Sequence, residues 1–311
     1  MDCSARRGTA LDEGKDFNEG KIRRYNAMPK IDRLRLETTG ILGMVLALAL
    51  AFGMEARGQS GDAKASAESK PAARPSPAAD EKAEQIIARA IEAMGGSAYL
   101  NVRSVIGRGL FTQFRDGETG LPSGFIDYIV FPDKERTEFR VPTGKIIQTN
   151  TGDKGWVYDG AAKSVNDMKP AQIEDFKLAM RASVDNLLRG TWRREGAELS
   201  YRGRREAGLA RRNEAVRLTY PDGFQVEFEF GARDGLPMKV LYKRKNAEGE
   251  ERAEEDRLAQ HVKIDGVIAP FVIDHFVAGS QTSRINYQSV EFNRPIAETL
   301  FARPANAKAV K

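Results

Sequence analysis

The stretch YPDGFQVEFEF, residues 220–230, decides the fold class. Phe224, Val226, Phe228 and Phe230 alternate with Gln225, Glu227 and Glu229. A period of two puts the first set on one face of a strand and the second on the other. That is the pattern of a half-buried antiparallel strand. The Pro-Asp-Gly before it sets a tight turn: Pro221 fixes φ, and Gly223 takes the left-handed position. Asp-Gly pairs recur at Asp116, Asp159, Asp222, Asp234 and Asp265, each between strand-like runs. This punctuation predicts a meander of hairpins, not βαβ crossovers.

Several runs are apolar on both faces. In GFIDYIVF, Phe125, Ile129 and Phe131 oppose Ile126, Tyr128 and Val130. In VIAPFVIDHFV, Val267, Phe271 and Ile273 oppose Ile268, Val272 and Phe276. A single sheet with one wet face has no need of this. Either a second layer covers the sheet, or the sheet curls into an open barrel around an apolar interior. Only two helices are expected. One is capped by Asp80 and carries Ile86, Ile87, Ala90, Ile91 and Met94 up to the Gly95-Gly96 break. The other starts near Pro170, carries Ile173, Phe176, Met180, Val184 and Leu187, and ends at Gly190. Two helices cannot cover ten or more strands, so the expectation is mainly β (α+β): one antiparallel sheet, curled and unclosed, with the helices over an apolar cavity.

The folded part is expected over residues 80–305, with a short tail at 306–311. Residues 1–56 read as an N-terminal extension and signal peptide. The apolar core of that signal is ILGMVLALALAFGM, 41–54, with Arg33 and Arg35 before it and small residues after it. The alternative for 41–54 is an uncleaved inner-membrane anchor. Met28 is a second candidate start. Residues 57–79 are rich in Ala, Pro, Ser, Lys and Glu and read as a disordered tether. Export through the signal places the protein in the periplasm.

The chain has 311 residues, a formal net charge of +5, one cysteine and two histidines. The charge is too mild to argue for nucleic acid. The single cysteine, Cys3, lies in the leader, so no disulfide framework or cysteine metal site is expected. His275 alternates with the inward set of its strand and reads as a hydrogen-bonded core residue. His261 sits in a charged strand and reads as exposed. No His-Glu-x-x-His, Gly-x-Ser-x-Gly or phosphate loop occurs. The run RREGAELSYRGRREAGLARRNEAVR reads as a solvated hairpin. KRKNAEGEERAEEDR reads as an exposed turn whose carboxylates have no apolar setting to raise a pKa, so no acid–base pair is expected there. No cofactor or metal is expected.

In GDKGWVYDG, residues 152–160, Trp156 and Tyr158 share a face of a short strand. The longer stretch FPDKERTEFRVPTGKIIQTNTGDKGWVYDGAAKSV, residues 131–165, resembles the core of the periplasmic lipoprotein carriers of the LolA type. Pro132, Arg136, Trp156, Tyr158, Asp159 and Val165 match that family's motif in order. IARAIEAMGGSAYLNVRSVIGRG resembles the N-terminal helix and first strand of looser, secreted LolA-like proteins. VIAPFVIDHF with VEFNRPIAETLFARP is similar to their closing strands. The long tether and the Arg-rich middle depart from the carriers.

The resemblance implies an unclosed barrel with a helical lid over a cavity that holds acyl chains of lipids or lipoproteins. It implies that Arg136 inherits the arginine that bonds helix backbone and holds the lid shut. On that basis Trp156, Tyr158 and Tyr128 are expected on the inner wall, and Phe176, Met180, Val184 and Leu187 on the lid. A monomer is expected. Two other readings stay open. One is an envelope sensor or assembly accessory that docks inner- or outer-membrane proteins through the same sheet. The other is a hydrolase, for which the sequence offers little.

Overall fold

The structure, a computed structural model, describes residues 77–245 and 249–310. The leader and nearly all of the expected tether lie outside the described residues. The first helix, α1 (Pro77–Met94), begins three residues inside that tether. Asp80 therefore sits within the first turn, where its charge favours the helix N-terminus, and does not cap it. The helix ends at Gly95 and Gly96, both at positive φ, followed by the short α2 (Ser97–Leu100).

The strands are β1 (Ser104–Arg115), the two-residue β2 (Glu118–Thr119), β3 (Ser123–Val130), β4 (Lys134–Val141), β5 (Gly144–Thr151), β6 (Lys154–Asp159) and β7 (Ser164–Asp167). After the helical insert come β8 (Glu198–Glu206), β9 (Arg212–Thr219), β10 (Gln225–Gly231), β11 (Pro237–Lys245), β12 (Glu251–Ile264), β13 (Val267–Val277) and β14 (Ser280–Phe292). They form one antiparallel sheet in the order β7-β6-β5-β4-β3-β1-β14-β13-β12-β11-β10-β9-β8, with β2 paired to β1. Two meanders are thus joined where β1 pairs with β14. The ends, β7 and β8, are not paired, so the sheet is unclosed, as expected.

The expected second helix is two helices. Chain after Pro170 forms α3 (Pro170–Ala182), then Ser183 turns extended at ψ 145° and its hydroxyl accepts from Asn186 N, starting α4 (Val184–Leu188). A serine that caps from outside helical φ/ψ breaks a stripe that apolar spacing alone reads as continuous. Helices α1, α2 and α3 pack on one face of the sheet. Helix α1 lies on β8, β9 and β13, α2 on β13, and α3 on β11.

The core follows the opening stretch. Val226, Phe228 and Phe230 of β10 are 0–1% exposed and share the helix-bearing face with Val216, Leu218, Val240 and Tyr242. Ala83, Ile86, Ile87 and Ala90 of α1 cover the adjacent strands and are buried. The outer face of β10 is not all wet: Glu229 is buried there and accepts from Asn213 Nδ2 at 2.8 Å.

Candidate functional site

Between α4 and the strands β11–β14 the helix-bearing face is not filled by side chains. A hollow of about 120 Å³ lies there. Val240, Leu258, Val267, Ile273, Val290 and Phe292 form its sheet wall, and Met94, Tyr99 and Val184 its helical side. Period-two register explains this wall. Leu258 pairs with Ile273, and Ile264 with Val267, so apolar residues of neighbouring strands point the same way.

The rim carries charge. Arg189, just after α4, donates from Nε to Asp185 Oδ1 at 2.8 Å. Its Nη groups donate to the carbonyls of Val102 (3.1 Å) and Tyr99 (3.2 Å). The guanidinium also lies 4.2 Å from the Phe131 ring centre and 4.9 Å from that of Tyr99. The Tyr99 hydroxyl donates to Asp185 at 2.9 Å. Burial, with the Asp185 charge behind it, holds the Tyr99 phenol well above its usual pKa. Arg189 thus ties α4 to α2 and to the link between α2 and β1 at the edge of the hollow.

The sequence placed an arginine latch at Arg136; the structure puts Arg136 elsewhere. Tyr128, Arg136, Thr149 and Trp156 form one row across β3–β6. Ile129, Glu135 and Asn150 form the next row, on the opposite face, toward α3. Trp156, Tyr158, Arg136 and Tyr128 therefore share the outer face and do not line the hollow. The segment after β14 folds over them. Trp156 Nε1 donates to the Phe301 carbonyl at 3.0 Å, and Arg136 Nη1 to the Leu300 carbonyl at 2.9 Å. Arg136 also donates to Glu138 Oε1 at 2.7 and 2.9 Å and lies 5.4 Å from the Trp156 ring centre. Trp156 is 3% exposed. Trp156 packs beneath a covering segment of the chain's own C-terminal part, while Tyr158 is half-buried. Alternation shows which residues share a face, but not which face turns toward the helices.

The lid residues divide. Val184 lines the hollow. Phe176 and Met180 border a separate, small pocket with Phe131 and Glu135. Leu187 is 1% exposed and belongs to the packed core.

The carboxylate run is a second correction. Lys243–Lys245 belong to β11 and the run from Glu251 onward to β12, where Glu254 and Asp256 point into the helix-bearing face and are buried. Asp256 pairs with His275 across β12 and β13, with Oδ1 and Nδ1 2.6 Å apart. Glu254 lies 3.5 Å from His275 Nε2, and accepts from Tyr242 (2.7 Å) and Arg244 (2.9 Å). Arg244 reaches Asp175 of α3 at 3.1 Å, which ties that helix to the sheet. Burial lifts the Asp256 carboxyl to about 6, against the pull of His275. Burial lowers His275, but the carboxylates of Asp256 and Glu254 outweigh it and its pKa ends raised. The inward reading of His275 agrees with the coordinates. His261 is half-buried, not exposed, and its Nε2 meets the Pro237 carbonyl at 2.9 Å. The alternation Glu254, Asp256, Leu258 in the sequence was the available signal, because Leu258 marks the inward face.

From Glu198 onward the arginine-rich run forms the β8–β9 hairpin. Arg204 pairs with Glu214, Arg205 and Arg217 with Glu227, and Arg212 with Glu206. Among the described residues, no helix is long and apolar enough to cross a membrane.

No protein-family model matches this chain, and no characterised protein matches it in sequence. Among solved structures, a DUF1329 family protein from Desulfovibrio piger superposes with a TM-score of 0.51 at 13% identity, covering 71% of this chain and 97% of that one. A LolA superfamily protein from Nitrosomonas europaea gives 0.49 at 12% identity with the same coverage. The chain shares the fold of the Desulfovibrio piger protein, and its unclosed antiparallel sheet with helices over one face is the architecture that the LolA-type resemblance led us to expect.

Proposed function

We propose that this protein binds and carries hydrophobic molecules in the periplasm, with acyl chains of lipids or lipoproteins in the hollow under α4. The observation that carries this reading is the apolar wall of that hollow, from Val240 to Phe292, left unfilled beneath a helical cover. A fold that merely needed a core would close such a space, because interiors pack to crystal-like density. The hollow as it stands suits a segment of a chain. An engineered apolar cavity of about 150 Å³ takes benzene, and this one measures about 120 Å³. A full acyl chain therefore requires the cover to move. Its fastening at the rim is Arg189, which touches three elements at once. Each methylene that enters contributes roughly 0.8 kcal/mol of gross affinity.

The test is a titration of delipidated protein with a dansyl-labelled fatty acid. Saturable enhancement of dansyl emission, displaced by unlabelled fatty acid, is the expected result. Failure to bind by a cooperatively folded protein would remove the proposal.

A further inference from the structure

A second group of polar side chains is buried on the helix-bearing face, over β3–β5, and meets the hollow only at Tyr287. The register sets Asp127, Thr137 and Gln148 side by side across β3, β4 and β5, and Glu135 beside Asn150 in the next row. Their exposures run from 0 to 3%. Tyr287 of β14 closes the group from the other side. Its ring lies over Gly107, 2.6 Å from where a Cβ would stand, and Gly107 pairs with Asp127.

Thr137 Oγ1 donates to Asp127 Oδ1 at 2.8 Å. Asp127 Oδ2, both side-chain amide atoms of Gln148 and of Asn150, and the Tyr287 hydroxyl have no hydrogen-bond partner among the described residues. Folded proteins satisfy nearly all such groups, because a buried polar atom without a partner forfeits its hydration for nothing. Five strand positions on one face all carrying hydrogen-bonding side chains, with an aromatic hydroxyl over them, make a lining for something small and polar.

We propose that this row binds a hard metal cation, calcium by charge and coordination, through Asp127, Glu135 and the amide oxygens of Gln148 and Asn150. Two carboxylates match a divalent charge, and carboxylate and amide oxygens are the donors that calcium uses in flexible, high-coordination sites. Magnesium holds its waters and demands near-octahedral geometry, which a dry row of strand side chains supplies poorly. The row offers no thiolate or imidazole of the kind that zinc prefers. Among the described residues no three His, Cys, Asp or Glu side chains gather as a metal set; the amide oxygens complete this one.

A pocket of about 10 Å³, near the size of one water, reaches Glu135 beneath Phe176 and Met180 of α3. Asp133, Lys134 and Asp185 border it, so charged side chains stand at its mouth.

The test uses the purified protein, stripped with chelator and returned to chelator-free buffer. Calcium chloride and magnesium chloride are added separately while thermal unfolding is followed, and calcium affinity is measured by calorimetry. Calcium is expected to raise Tm by several degrees, and magnesium by less at equal concentration. Asp127→Asn is expected to weaken calcium binding about tenfold or more. Should that variant fail to fold, Gln148→Met, which removes an oxygen but keeps the length, carries the same test. Wild-type protein that unfolds cooperatively yet ignores calcium overturns the proposal; the row then holds internal water only. A calcium shift that survives both substitutions overturns it equally, since the ion would be binding elsewhere.

Discussion

Replacing Ala269 with phenylalanine asks whether the hollow is real and whether it is where ligand sits. Ala269 lies on β13, paired with Val262, and borders the hollow. A phenyl ring is the size of the benzene that fills an apolar cavity of about 150 Å³, so one ring occupies most of a space of about 120 Å³. It would displace a chain segment of about five methylenes, worth roughly 4 kcal/mol gross at 0.8 kcal/mol each. That is nearly three decades in affinity. A flexible ligand reseats part of its length, so the expected loss in the dansyl fatty acid titration is about 30-fold or more. Urea unfolding supplies the independent half of the test. Filling a void leaves stability unchanged or raises it, whereas forcing a ring into a packed interior costs about 1–3 kcal/mol. Unchanged binding, or a stability loss of that size, would refute the reasoning.

Arg189→Met removes bonds to Asp185, Tyr99 and Val102 at the rim. With charge-assisted bonds worth about 1.5–3 kcal/mol, amide exchange in α2 and α4 should quicken by about 10- to 100-fold, with exchange in β9 and β10 unchanged. Phe228→Ala, at a site 1% exposed, should cost about 3–5 kcal/mol in urea unfolding. Phe301→Asp should lift the C-terminal segment from the outer face and red-shift tryptophan emission, since Trp156 loses its cover. The Asp256–His275 pair gives a pH dependence. Burial raises Asp256 to about 6, above the roughly 3.9 of an unfolded aspartate. The native state therefore holds that proton more tightly, and the stabilisation, full below about pH 4, is lost as pH rises through about 6. His275 is raised despite its burial, by Asp256 and Glu254, and its contribution is likewise lost as pH rises through its folded pKa. The stability of wild type relative to Asp256→Asn, from urea midpoints, should fall between pH 4 and pH 8. A flat difference would discard the pair.

The strands and their antiparallel order were legible because period-two alternation and Asp-Gly turns are local signals. Residues 220–230 fold as read, and the other Asp-Gly pairs all lie at strand ends or between neighbouring strands. The side of the sheet was not legible. Both faces of β3 carry large residues, and the stretch that covers Trp156 lies 145 positions away. Nothing in the spacing of Phe301 announces that it returns to the outer face. The same limit moved the rim arginine from Arg136 to Arg189, whose role depends on carbonyls of α2 and of the link after it that only folding brings near. Glu254 and Asp256 were hidden by their charged neighbours. A run of mixed charge reads as solvated until its register against β13 is known.

Native mass spectrometry of the protein, released from its own cells without denaturation, tests the central claim most directly. The folded protein is expected to appear with adducts of lipid mass, and Ala269→Phe to appear without them. A folded wild-type protein that emerges bare from cells that contain abundant lipid, with a spectrum no different from that of the variant, would contradict it.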